Sequence, residues 1–164
     1  MLTQSELYQL MQEPLPSTGY QKRLGYRTTT NEVAALYKLI NATIFNNELV
    51  MPELIIKGRC RRYWGMCYGA VDKVPYRNTF CKIKLMDKYF CRQWLVMILA
   101  HEMCHQYQWD ILGKLRVEEG KESIMTHGPS FFIFKEKLES HGVPLKRTGI
   151  SQRKWFKHQN LFVR

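Results

Sequence analysis

An α+β fold built as one domain follows from three features of the 164-residue sequence. Apolar residues recur at helical spacing between Val33 and Phe45, and three short β-rich runs follow between Leu54 and Met86. A long, mostly apolar helical stretch then runs from about Lys88 to Leu112. That order predicts a small antiparallel sheet packed on a buried helix, with further helices beside them.

Each element has its own local cause. Residues 1–12 carry Leu2, Leu7, Leu10 and Met11 on one side of a short helix, which Pro14, Pro16 and Gly19 break. The segment up to Arg27 reads as an extended connector. Thr30 or Asn31 is the expected cap of the next helix, whose apolar stripe is Val33, Leu36, Tyr37, Ile40, Ile44 and Phe45, and Asn46-Asn47 ends it. The strands are expected at Leu54-Ile55-Ile56, Trp64–Val71 and Thr79–Met86. In the last, Phe80, Lys82 and Lys84 alternate with Cys81, Ile83 and Leu85, so one face is wet and the other buried. Arg59, Arg61 and Arg62 fall at the first turn of the sheet. The following helix is apolar on most sides, which marks it as buried, and Gly113 stops it. Pro129 suits the first turn of a last helix over SFFIFKEKLES, closed by Gly142. The chain thus divides into an N-terminal extension (1–29), a main domain (30–142) and a basic, aromatic tail (143–164).

Composition narrows the class. With 45% hydrophobic residues the chain can bury a core without disulfides, and its five cysteines form no C-x-x-C pair, so reduced, buried thiols are expected. There is no run of about 18 apolar residues and no secretory leader in the first 20, so no membrane association and a cytoplasmic location are expected. The net charge of +11 is uneven. Residues 53–92 hold ten Lys or Arg against three acids, and residues 142–164 hold six against none. A polyanion, with nucleic acid the first candidate, is the partner this asymmetry favours, and a solvated basic surface is the competing reading.

The polar residues inside the buried helix need an explanation, and LAHEMCHQYQ supplies one. His101 and His105 are four apart and project from one face of a helix, where two imidazoles can meet one zinc ion. Glu102 stands beside them, able to take a proton from a zinc-activated water. A catalytic zinc wants a third protein ligand and an open fourth position. The metzincin pattern would put Gly at 108 and His at 111, and the chain has Gln108 and Ile111. The remaining histidines are His127, His141 and His158, with Glu118, Glu119 and Glu122 as carboxylate alternatives in a solvated charged run. His127 is favoured, because it precedes Gly128-Pro129 at a junction that can swing back over the active helix.

HEMCH in a buried helix, followed by THGPSFF, resembles the SprT-like metallopeptidases, which include the Spartan DNA–protein crosslink proteases. The approach ALYKLINATIFNNEL, the Trp64–Cys67 region and FCKIKLM are similar too, over roughly Asn31–Ser140. The resemblance implies a zincin-like fold, one catalytic Zn2+ held by His101, His105 and His127, and Glu102 as the catalytic acid/base. It also implies protein substrates. No cysteine follows Cys104, so the C-terminal zinc ribbon of many members is not expected. The compact form suits a bacterial or phage protein, acting at the nucleoid or in a host cytoplasm. In the tail, Lys146, Arg147, Arg153, Lys154 and Lys157 with Trp155 are the candidate nucleic-acid contacts, cations for phosphates and an aromatic for unpaired bases. Docking of the tail's aromatics on the domain core is the competing reading. A non-catalytic, zinc-containing DNA-binding protein is the alternative function, and intact Glu102 argues against it.

Overall fold

A computed structural model of the chain describes residues 4–15, 25–58, 63–69, 81–113, 127–147 and 162. Mixed helix and sheet, with small sheets, agrees with the α+β expectation. Helix α1 (Glu6–Met11) starts where the Ser5 side chain accepts the Tyr8 N–H, and it buries Leu7, Leu10 and Met11. Leu2, expected on the same side, lies outside the described residues. The connector before the second helix contains a short strand, β1 (Tyr26–Arg27), that pairs antiparallel with β5 (Lys88–Tyr89). Two-residue strands carry too little pattern to be read in advance.

Helix α2 (Thr30–Ile44) is capped one residue earlier than expected, by Thr29, whose hydroxyl accepts the Glu32 N–H at 3.2 Å. Glu32 also receives the hydroxyls of Tyr26 and Thr28, which ties β1 to the helix. At the other end Asn46 and Asn47 take φ of 52° and 59°, the left-handed conformation that asparagine tolerates, as the sequence indicated. Inside the helix the Asn41 side chain grips both backbone groups of Leu49, at 2.8 and 3.2 Å, and so fixes the approach to the sheet.

The sheet is the main correction. Its strands β2 (Glu53–Lys57), β3 (Gly65–Gly69) and β4 (Cys81–Met86) stand in the order β2-β4-β3. β4 is antiparallel to β3 and parallel to β2, so the sheet is mixed and not antiparallel throughout. Alternation of buried and wet residues is the same in parallel and antiparallel pairs, so the pattern could not tell them apart. The alternation itself holds: Cys81, Ile83 and Leu85 are buried while Lys82 and Lys84 are half-exposed. Because β4 is central, its edges are both taken. Arg59, Arg61, Arg62 and Phe80 lie outside the described residues.

Helix α3 (Arg92–Tyr107) is buried along almost its whole length and packs on the inner face of the sheet. It begins four residues later than the pattern suggested, because Lys88 and Tyr89 belong to β5. It does not stop at Tyr107, but widens into a π-helical turn over Gln108–Gly113. At its start Trp94 packs with Trp64 and Phe90, at 5.5 and 5.4 Å between ring centroids, and Phe162 reaches the same cluster at 6.2 Å from Trp94. That one aromatic of the tail docks on the core.

The last helix, α4 (Lys135–Ser140), is shorter than expected. Pro129–Phe134 form successive turns instead, with Phe131 bonded to the Gly128 carbonyl and Phe132 to that of Pro129. Gly142 does close α4: at φ 81° it bonds back to Glu139, and Val143 bonds to Leu138. The chain then returns toward α3 through the buried Val143–Leu145.

Candidate metal centre

His101 and His105 sit one turn apart on α3, as their spacing requires, and the turn after residue 126 brings His127 against them. His127 Nε2 lies 3.2 Å from His105 Nε2 and 3.2 Å from His101 Nε2. An imidazole nitrogen carries either a proton or a lone pair, so His127 Nε2 cannot donate to one neighbour and accept from the other. A cation among them satisfies three lone pairs at once. Four ligands at the 2.0–2.1 Å of zinc–imidazole bonds form a tetrahedron with edges of about 3.3 Å, which the observed spacing matches. The donor set and its dimensions fit a metal ion.

Each ring is oriented by a neighbour. His105 donates its Nδ1 proton to Gln108 Oε1 at 2.8 Å, which leaves Nε2 as the lone-pair nitrogen. The Gln108 amide in turn donates to Ser130 Oγ at 2.9 Å, so one side chain links α3 to the turn that carries His127. The His101 ring is bonded to the backbone carbonyl of Lys146, on the strand of chain that returns after α4. Phe131, fully buried, forms the floor, with centroids 4.7, 4.6 and 4.8 Å from the rings of His101, His105 and His127.

The electrostatics favour neutral imidazoles. Burial, then the neighbouring rings, pushes His101 down to about 3. Burial also lowers His105, against the opposing Gln108 bond. For His127, burial acts first and the Arg147 charge second, both downward. Neutral rings are the form a metal binds.

Glu102 points toward β3. It is 6% exposed, and burial pushes its carboxyl up to about 8, against the pull of a hydrogen bond from the Cys67 backbone. Gly65 makes this approach: a Cβ there would stand 2.8 Å from Leu85 Cδ2, 2.9 Å from Ile98 Cγ2 and 3.3 Å from Glu102 Cγ. Next along the helix, Gln106 is fully buried and bonds Tyr37, the Val50 carbonyl and Asp110 at 2.7, 2.7 and 3.0 Å. This network holds α3 against α2 behind the histidines.

Other residues named from the sequence fall elsewhere. His141 bonds the Lys137 carbonyl at the end of α4. Outside that set, Tyr107 packs on Phe45 and Phe134, and the Tyr63 hydroxyl lies 3.1 Å from that of Tyr68. Lys146 and Arg147 are exposed beside the histidines. Glu118, Glu119, Glu122, His158, Arg153, Lys154, Trp155 and Lys157 lie outside the described residues. Cys67, Cys81, Cys91 and Cys104 are buried, and no disulfide joins them. Sequence reasoning missed the orienting groups, Gln108, Ser130, Cys67 and the Lys146 carbonyl. Only Gln108 left a signal, its place three residues after His105.

Three histidines on a buried helix and a facing turn form a cluster that could hold a metal ion in an α+β domain. The chain belongs to the SprT-like family, whose model matches residues 33–150. None of the curated proteins compared with the chain matches it.

Proposed function

We propose that the protein is a zinc-dependent metallopeptidase of the HExxH type, with a zincin-like active helix. The single observation that carries this reading is the convergence of three neutral imidazoles beside a buried carboxyl one residue along the same helix. Membership of a family of metallopeptidase character supports it. Zinc is the ion of choice for three imidazoles with an open fourth position. Bound there, it would polarise a scissile carbonyl and acidify a water.

The chain's own residues supply the rest. His101, His105 and His127 would hold the ion. Glu102, held by the Cys67 N–H, would be drawn to its carboxylate form by the charge of the bound ion, and could then take the proton of the attacking water and pass it to the leaving amine. β4 has a partner strand on both sides, so an extended substrate cannot add to it. The outer strand over Glu102 is β3, and main-chain pairing along it would lay a peptide across the site. The charge of +11, with Lys146 and Arg147 beside the centre, favours substrates held on DNA.

A comparison of Glu102→Gln with wild type, read by autocleavage and by degradation of a DNA-bound protein, tests the proposal. Loss of a general base should cost about 10²–10⁴ in rate. Equal activity would refute peptidase chemistry at this site. Zinc content of His127→Ala tests the third ligand, and full occupancy would refute it.

A further inference from the structure

The inner face of the sheet is buried on α3, but its outer face carries a different set of residues. Register places Tyr68 beside Lys82 and Lys82 beside Glu53 in one row, and Met66, Lys84 and Ile55 in the next. Tyr68 is 39% exposed, among the few large exposed hydrophobics. Lys84 Nζ stands 5.9 Å from the Tyr63 ring centroid, and the Tyr63 and Tyr68 hydroxyls are 3.1 Å apart. Glu53 pairs with Lys82 at 3.2 Å, so Lys57 and Lys84 remain as the excess charge on the described face. Over residues 53–86 the sequence has eight Lys or Arg against two acids, a surplus of six out of the chain's +11. Five of those cations lie outside the described residues.

We infer that the outer face of this sheet binds single-stranded nucleic acid, with Tyr68 and Tyr63 stacking on bases and Lys57 and Lys84 contacting phosphates. A sheet face that alternates aromatic rings with cations offers unpaired bases a stacking platform and the backbone a charged track. Duplex DNA, its bases already stacked, can use only the cations. An acidic peptide could likewise use the charge, but it has no bases for the exposed tyrosine. β3 serves both sides: Gly65 and Cys67 face Glu102, while Met66 and Tyr68 face outward. A strand held here lies on the opposite side of the same sheet from the metal centre. The inference stands without the peptidase reading, because binding needs no turnover.

Fluorescence anisotropy of a labelled oligothymidylate of about 20 nucleotides, with the full chain, tests it. Lys57→Gln combined with Lys84→Gln should flatten the slope of log affinity against log salt by about 1.4, two phosphate contacts at about 0.7 each. Tyr68→Ala should weaken binding by about 5- to 150-fold, Tyr68→Phe should restore it, and Tyr63→Ala gives a second, independent stacking variant. On an abasic oligonucleotide of the same length the lysine effect should persist and the tyrosine effects vanish. Unchanged affinity and salt slope in variants of wild-type circular dichroism and Tm would overturn the inference and leave binding to the basic tail. Competition by polyglutamate as strong as by oligothymidylate at equal charge would also overturn it, in favour of an acidic protein partner.

Discussion

Gln108 joins the two parts of the metal centre, with its carbonyl oxygen on His105 Nδ1 and its amide on Ser130. From the sequence the same residue served only to exclude one zincin pattern. Its role follows from the second nitrogen of every ligand imidazole, whose proton must go somewhere and whose partner sets the ring's tautomer and direction. Gln108→Ala is expected to weaken zinc binding about 10- to 100-fold, measured by competition with a chelator of known affinity. Gln108→Glu keeps an acceptor for the His105 proton and should retain most of the affinity. An affinity unchanged in the alanine variant would remove the orienting role. Position i+3 from a histidine was visible in the sequence, but the partner on the far side, Ser130, was not. It comes from a separate turn 22 residues later.

Among the elements, the contact of β3 with α3 decides where Glu102 points. A strand can lie this close to a helix only where its facing residue has no side chain, and Gly65 is that residue. Gly65→Ala would press on Leu85, Ile98 and Glu102 together, at an expected cost of about 1–3 kcal/mol in urea unfolding. Because the histidines are untouched, zinc content should stay at the wild-type level while peptidase activity falls. Wild-type activity in a folded Gly65→Ala protein would show that the carboxyl's position tolerates the shift. The helical period of α3 and the alternation of β4 were plain in the residues. The widening into a π turn after Tyr107 was not, since an apolar pattern of one turn fits either pitch.

At the scale of the whole molecule the centre ties together three stretches: α3, the turn at 127–131, and the returning chain at Lys146. Binding of an ion there should therefore stabilise the fold as a whole. Zinc at 100 times its Kd would add about 2.7 kcal/mol, a rise in Tm of roughly 5–11 °C that chelation reverses. His127→Ala should abolish this dependence on zinc. A Tm indifferent to zinc in the wild type would mean that the three imidazoles do not hold it. Among the described residues no helix is long and apolar enough to cross a membrane, in keeping with the absence of such a run in the sequence.

The sequence by itself determined what is local. Four-residue spacing puts His101 and His105 on one helix face, alternation puts Ile83 and Leu85 inward, and Asn46-Asn47 and Gly142 end their helices through backbone preference alone. Tertiary structure decided the rest. Strand direction, the site of α3's closest strand, and the groups that orient each imidazole depend on residues far apart in the chain. Periodicity reports which side of an element is buried, and it says nothing of what lies against that side. LAHEMCHQYQ and THGPSFF therefore marked the three histidines of a candidate metal centre, and the folded chain brought them together and aimed their rings.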